Sequence, residues 1–126
     1  MIQLAPHIRL WVAVEPADFR CGIDGLCRIC RHVLKIDPFS GAVVVFRNRR
    51  QTSIKLISYD GQGYWLAQKR LSAGKFPHWP KSGQSTHIEL FAHQLQLLLV
   101  GGDPGQATAA PEWRPIVKRE TPIRKK

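Results

Sequence analysis

The chain is short of the residues that several protein classes depend on. It has three cysteines in 126 residues. The count is odd and the spacing shows no repeating disulfide pattern, which excludes a disulfide-framed secreted scaffold and suits free thiols in a reducing cytosol. No apolar run approaches the ~20 residues that a membrane-spanning helix needs. The segment from Met1 to Pro6 lacks the basic start, long apolar stretch and small-residue cleavage site of a secretory signal. Glycines never gather into a phosphate cradle, and Gly61-Gln62-Gly63 is too short to be one. No Ser, Thr or Cys stands near a His in the way a hydrolase elbow requires. Cys27-Arg28-Ile29-Cys30 has a CxxC spacing, but a zinc site needs a second ligand pair, and His7, His78, His87 and His93 are scattered. No repeat of solenoid length is present.

Negative charge is scarce as well. Nine Asp and Glu face nineteen Lys and Arg, a formal net charge of +10. Such an imbalance repels itself unless a polyanion neutralises it. Nucleic acid, RNA as much as DNA, is the first partner that charge alone suggests, with an anionic membrane surface or an acidic protein as alternatives. The excess is concentrated between Val43 and Pro80. Arg47, Arg49, Arg50, Lys55, Lys69, Arg70 and Lys75 all lie there, and Asp60 is the one acid between Arg47 and Lys75.

Periodicity divides the chain into elements. Ile8 to Val14 alternates apolar and other residues, the pattern of a half-buried strand ended by Glu15-Pro16. From Gly22 to Lys35, Ile23, Leu26, Cys27, Cys30, Val33 and Leu34 recur at helical spacing, and Asp37-Pro38 stops the helix. Strands are expected at Ala42 to Arg47, Ser53 to Tyr59 and Tyr64 to Arg70. They are joined by turns at Asn48-Arg49-Arg50 and Asp60-Gly61-Gln62-Gly63, short enough to force antiparallel neighbours. Ser72 to Gly83 is irregular. A short strand at Thr86 to Leu90 and a helix at Phe91 to Val100 follow, with Gly101 as its C-cap. The expected architecture is α+β, an antiparallel sheet of about four or five strands packed by two helices over residues 1–102. Residues 103–126, with four prolines and a final Arg124-Lys125-Lys126, read as a disordered basic tail that adds sequence-independent phosphate affinity.

Chemistry follows the same balance. Cys27 and Cys30 fall on the apolar stripe of the helix and read as small core residues rather than as metal or redox groups. Asp24 belongs to a helix N-terminus and Asp60 to a turn, so with Asp18 they make a poor carboxylate cluster for metal-assisted phosphoryl chemistry. No catalytic residue, metal site or cofactor is expected. The basic meander is the sharper signal. Arg49 and Arg50 with Arg47 cluster at one turn, Lys69-Arg70 reaches the same sheet edge, and guanidinium forks suit phosphates. Tyr59, Tyr64, Trp65 and Trp79 are there to stack or to pack. Trp65 is expected in the core.

The residues also match a known family. Asp18-Phe19-Arg20-Cys21-Gly22-Ile23-Asp24-Gly25-Leu26 is followed by Asp37-Pro38-Phe39-Ser40-Gly41 and Val45-Phe46-Arg47-Asn48-Arg49-Arg50. Ile54-Lys55-Leu56, Asp60-Gly61-Gln62-Gly63, Lys69-Arg70-Leu71 and Phe76 with Trp79-Pro80 complete the order. This set closely resembles the TnpB accessory protein of IS sixty-six family insertion sequences, which is unrelated to the RNA-guided nuclease that shares the name. The resemblance spans about residues 4 to 102. Cys21 stands where the family usually has a basic residue, and the spacing at His78 is unusual. The resemblance implies a bacterial mobile-element protein, not itself an enzyme, encoded beside a separate transposase that carries the catalytic acids. Its expected partners are DNA at the element ends, the cognate transposase and other element-encoded proteins, which places it at the nucleoid. The alternatives are a pure adaptor for the transposase without DNA contact, or a metal-dependent nuclease partner. Expected phosphate contacts are Arg20, at a loop entering a helix, with Arg47, Arg49, Arg50, Lys55, Lys69, Arg70 and Lys75.

Overall fold

A computed structural model describes residues 8–103 other than 82 and 84, together with residue 105. Most of the basic tail, residues 106–126, lies outside the described residues. The elements in chain order are β1 (Leu10–Ala13), α1 (Gly22–Ile29), β2 (Val43–Arg47), β3 (Ser53–Tyr59), β4 (Tyr64–Arg70), β5 (His87–Leu90) and α2 (Ala92–Leu99). One sheet of five strands runs in the order β4-β3-β2-β1-β5. The α+β architecture with two helices is therefore as expected.

One pairing departs from the expected all-antiparallel sheet. β1 and β2 are parallel, with Leu10 opposite Val43 and Val12 opposite Val45. The long connection between them carries α1 across the sheet, and a crossover of that length returns the chain in the same direction. The remaining neighbours β2-β3, β3-β4 and β1-β5 are antiparallel.

Alternation along the strands creates two apolar faces. Leu10, Val12, Val43, Val45 and Ile54 point to one side, where Phe76, Trp79, Leu90, Leu95 and Leu98 cover them. Ala13, Val44, Phe46 and Ile57 point to the other side and meet Leu26, Cys27, Cys30 and Leu34. The sheet is thus buried on an α1 face and an α2 face. β2 lies between both cores, so it reads as a continuous apolar run rather than an alternating one.

Two details fix the connections near the site. The helical segment after α1 widens into a π-type turn over Cys30–Leu34, and Lys35 closes it in the left-handed region with φ 58°. The Ile36 N–H then joins the Lys35 N–H in donating to the Cys30 carbonyl, at 2.8 Å, which closes the helix end. At the start of α1 a Cβ on Gly25 would collide with Cys21, so glycine is required there.

The loop between β4 and β5 is held from within. Phe76 and Trp79 are buried, and the Trp79 indole N–H donates to the Ala13 carbonyl at 2.8 Å. The irregular composition of Ser72 to Gly83 hides two core anchors. Trp65 shows the reverse: expected in the core, it is 44% exposed on the edge strand β4, because no element covers β4 on its outer side among the described residues.

Candidate nucleic-acid interface

The β2–β3 turn is built by Asn48. Its side-chain oxygen accepts the N–H groups of Thr52 at 2.9 Å and Ser53 at 3.1 Å, and its amide donates to the Thr52 hydroxyl at 3.2 Å. Gln51 takes a left-handed conformation with φ 68° to close the turn. With Asn48 turned inward, Arg49 and Arg50 are left exposed at the tip.

Register then decides which cations join them. Ser53 faces Arg70, Ile54 faces Lys69 and Lys55 faces Gln68. Arg70, Gln68 and Lys55 therefore lie on the α1 face, and Lys69 lies on the α2 face. Successive strand residues cannot share a side, so Lys69-Arg70 is not one patch. Arg50 and Arg70 line a single groove of about 510 Å³ together with Phe19, Asn48, Thr52, Ser53, Gln68 and Leu71.

Arg20 and Asp18 sit on the loop that leads into α1. The Arg20 guanidinium grips the Asp18 carboxylate through Nε at 3.0 Å and a terminal nitrogen at 2.9 Å, and the Arg20 backbone N–H adds a third bond at 3.0 Å. These hydrogen bonds hold the Asp18 carboxyl down at about 2, with the Arg20 and Arg49 charges adding to the effect. Arg49 is thereby placed near the same loop. It makes no ion pair with a described residue, and neither do Arg50, Arg70 and Lys75.

Three of the expected phosphate ligands are committed elsewhere. Lys55 is buried, its ammonium donates to the Phe19 carbonyl at 2.9 Å, and it sits 4.9 Å from the centre of the Phe19 ring. Strand alternation puts it on the α1 face, where the loop carrying Phe19 covers it. Arg47 is half-buried on the α2 face. It donates to the Phe76 carbonyl at 2.7 Å and lies 4.9 Å from the Trp79 ring, and desolvation lowers its pKa. Lys69 is exposed but donates to the Leu99 carbonyl at 2.7 Å, where a cation suits the negative end of α2. Arg47 and Lys55 are thus held by backbone carbonyls within the fold. Arg20, Arg49, Arg50 and Arg70 remain on the α1 side, and Lys75 is exposed on the following loop.

Phe19 and Gln68 are not among the phosphate ligands expected from the sequence, where Phe19 belongs only to the motif that enters α1. Strand alternation alone pairs Gln68 with Arg70, so that signal was available. The placement of Phe19 follows from the Lys55 bond and could not be read locally.

Cys27 and Cys30 are buried as core residues, and burial pushes the Cys30 thiol up to about 12. Among the described residues no three His, Cys, Asp or Glu side chains gather closely enough to hold a metal ion. No helix among them is long and apolar enough to cross a membrane.

Fold and surface together define a small basic α+β protein with an arginine-lined groove beside a β-hairpin turn. The chain belongs to the family of IS66 Orf2-like proteins, whose model matches residues 8–109. That family is one of accessory proteins associated with insertion sequences, not a known enzyme family. The chain is similar to two proteins of Sinorhizobium fredii. One, "Uncharacterized protein y4hO", is 37% identical over 115 residues, which cover 91% of this chain and 96% of the relative. The other, "Uncharacterized protein y4jC", is 34% identical over 115 residues, covering 91% and 97%. No solved structure matches significantly.

Proposed function

We propose that this protein acts in transposition by binding DNA of its insertion sequence, at or near the element ends, through the arginines on the α1 side of the sheet. The observation that carries this reading is the convergence of Arg50 and Arg70 on one groove, without carboxylate partners among the described residues, next to Arg49 and Arg20. Exposed guanidinium groups held on a rigid hairpin are suited to bidentate phosphate contact. Arg49 and Arg50 at the turn and Arg70 at the end of β4 are exposed, which gives reach without disturbing the core. Such binding would place the protein at the bacterial nucleoid.

The test is a mobility shift with the purified full chain and duplex DNA across a salt series. Three phosphate contacts, from Arg49, Arg50 and Arg70, predict a slope of log K against log salt near −2.7, since each contact contributes about −0.9. Replacing Arg50 and Arg70 with Gln should reduce the slope by about 1.8. A flat salt response, or no binding at low salt, overturns the reading.

A second reading has its own support. β4 is a sheet edge without a neighbour among the described residues, and it exposes Trp65 and Leu66 on opposite faces. An open edge with large apolar side chains is a template for another polypeptide. The separate transposase is the proposed occupant. A pull-down of transposase with and without nuclease treatment separates the two readings. Capture that survives nuclease supports direct protein contact, and capture lost with nuclease supports bridging by DNA.

A further inference from the structure

The groove beside Arg50 and Arg70 has a shape that phosphate contact alone does not require. A double helix offers its phosphates on a convex rod, and exposed cations on an open surface are enough to meet them. Here the arginines open onto a shallow, open groove of about 510 Å³, room enough for one small organic group laid against its wall.

The walls supply what a nucleobase needs. Phe19 is half-buried and lines the groove, and the buried Lys55 ammonium lies over its ring and donates to its carbonyl, which fixes it in place. Gln68 is exposed and stands opposite Lys55 in the sheet register, and its side-chain amide makes no hydrogen bond with a described residue. Its amide offers both a donor and an acceptor. The Thr52 hydroxyl accepts from Asn48, which leaves its own proton to donate. An aromatic ring, a free amide, a hydroxyl and two guanidinium groups in one concavity match an unpaired nucleotide: base on ring, base edge on amide, phosphate between arginines.

We infer that this groove binds one unpaired nucleotide of single-stranded DNA, so that the protein prefers strand openings or ends over continuous duplex. The inference rests on the DNA-binding reading above and sharpens it.

The experiment is fluorescence anisotropy with the full chain against two probes, an oligothymidine of about 12 nucleotides and a blunt duplex of about 20 base pairs. The wild-type protein should bind the single strand more tightly. Phe19→Leu keeps apolar volume but removes the stacking surface. It should weaken single-strand binding by about tenfold and change duplex binding by no more than about twofold. Gln68→Ala, at an exposed position whose loss leaves folding intact, should weaken only single-strand binding, by about threefold. It keeps the test decisive should Phe19→Leu fail to fold. Equal wild-type affinity for both probes, or losses shared equally between them, overturns the inference and leaves duplex binding standing. Binding to neither probe at low salt overturns both.

Discussion

At the scale of single residues, the same charge does two different jobs. Lys55 and Arg70 lie on the same face of adjacent strands, yet one is sealed inside and the other is open to solvent. Lys55→Ala removes the donor to a part-buried carbonyl, and a charged hydrogen bond of this kind is worth about 2 kcal/mol. Chemical denaturation should show that loss, with the salt slope of DNA binding unchanged. Arg70→Gln should do the opposite. The two tryptophans divide in a similar way. Trp79 is buried and bonded, whereas Trp65 is 44% exposed and rests on one bond to Asp60 at 2.8 Å. Trp65→Ala should therefore cost about 1 kcal/mol, against about 3–5 kcal/mol for Phe76→Ala in the core, measured in the same denaturant series.

Asp18 tests the surface at this scale too. Its carboxylate occupies the Arg20 fork and neighbours Arg49. Asn at this position keeps an oxygen for the Arg20 backbone N–H but removes the charge. Asp18→Asn should raise DNA affinity and steepen the salt slope by about 0.9, as Arg20 becomes available for one more phosphate. The pH dependence has a definite sign. The folded carboxyl titrates at about 2, below the ordinary 3.8. A depressed carboxyl stabilises the fold above its unfolded value and loses that contribution as pH falls from there towards the folded one. Asp60 is lowered in the same direction, chiefly by the Gly63 and Gln62 N–H groups and then by Trp65. Thermal melts should hold steady from these two groups at neutral pH and decline in acid below about 4, with the Asp18→Asn protein declining less.

At the scale of elements, the turns govern where the arginines can go. Asn48 makes three side-chain bonds across the β2–β3 turn. Asn48→Ala should lower stability by about 1–2 kcal/mol, and it should weaken DNA binding more than an exposed alanine substitution would, because Arg49 and Arg50 lose their fixed position. Equal affinity in a destabilised Asn48→Ala protein would show that the turn does not position the site. Local pattern was enough to read β3 and β4, since alternation and the Asp60-Gly61-Gln62-Gly63 turn are both short-range signals. It was not enough for the parallel seating of β1 beside β2, which depends on where α1 crosses. Nor did it reveal the π-type turn closed by Lys35, a residue with no intrinsic taste for the left-handed region. The site was legible in part. Arg49, Arg50 and Arg70 were visible as exposed charge, but the capture of Arg47 and Lys55 depends on carbonyls of Phe76 and Phe19, 29 and 36 residues away in the chain.

At the scale of the whole molecule, the decisive quantity is the formal net charge of +10 on 126 residues. Among the described residues two ion pairs form, Arg9 with Glu89 at 3.4 Å and Arg20 with Asp18 at 2.9 Å. Pairing among these residues therefore offsets little of their mutual repulsion. Repulsion among exposed charges is screened within about 10 Å at 0.1 M salt and reaches about 30 Å at 0.01 M. The melting temperature should consequently rise as sodium chloride is increased from about 0.01 M to about 0.2 M, the reverse of what a fold held by surface ion pairs would show. On the DNA-binding reading a polyanion should achieve more than salt, because the folded arrangement of arginines would hold it more tightly than the unfolded chain does. At a DNA concentration of about 100 times its dissociation constant, that linkage amounts to about 2.7 kcal/mol. Duplex or single-stranded DNA added at low salt should therefore raise the melting temperature of the wild-type protein by several degrees. The Arg50→Gln, Arg70→Gln double variant should gain much less from DNA while responding normally to salt. Were salt to stabilise both proteins but DNA neither, the positive surface would be matched to something other than nucleic acid, and the open β4 edge would become the place to look for its partner.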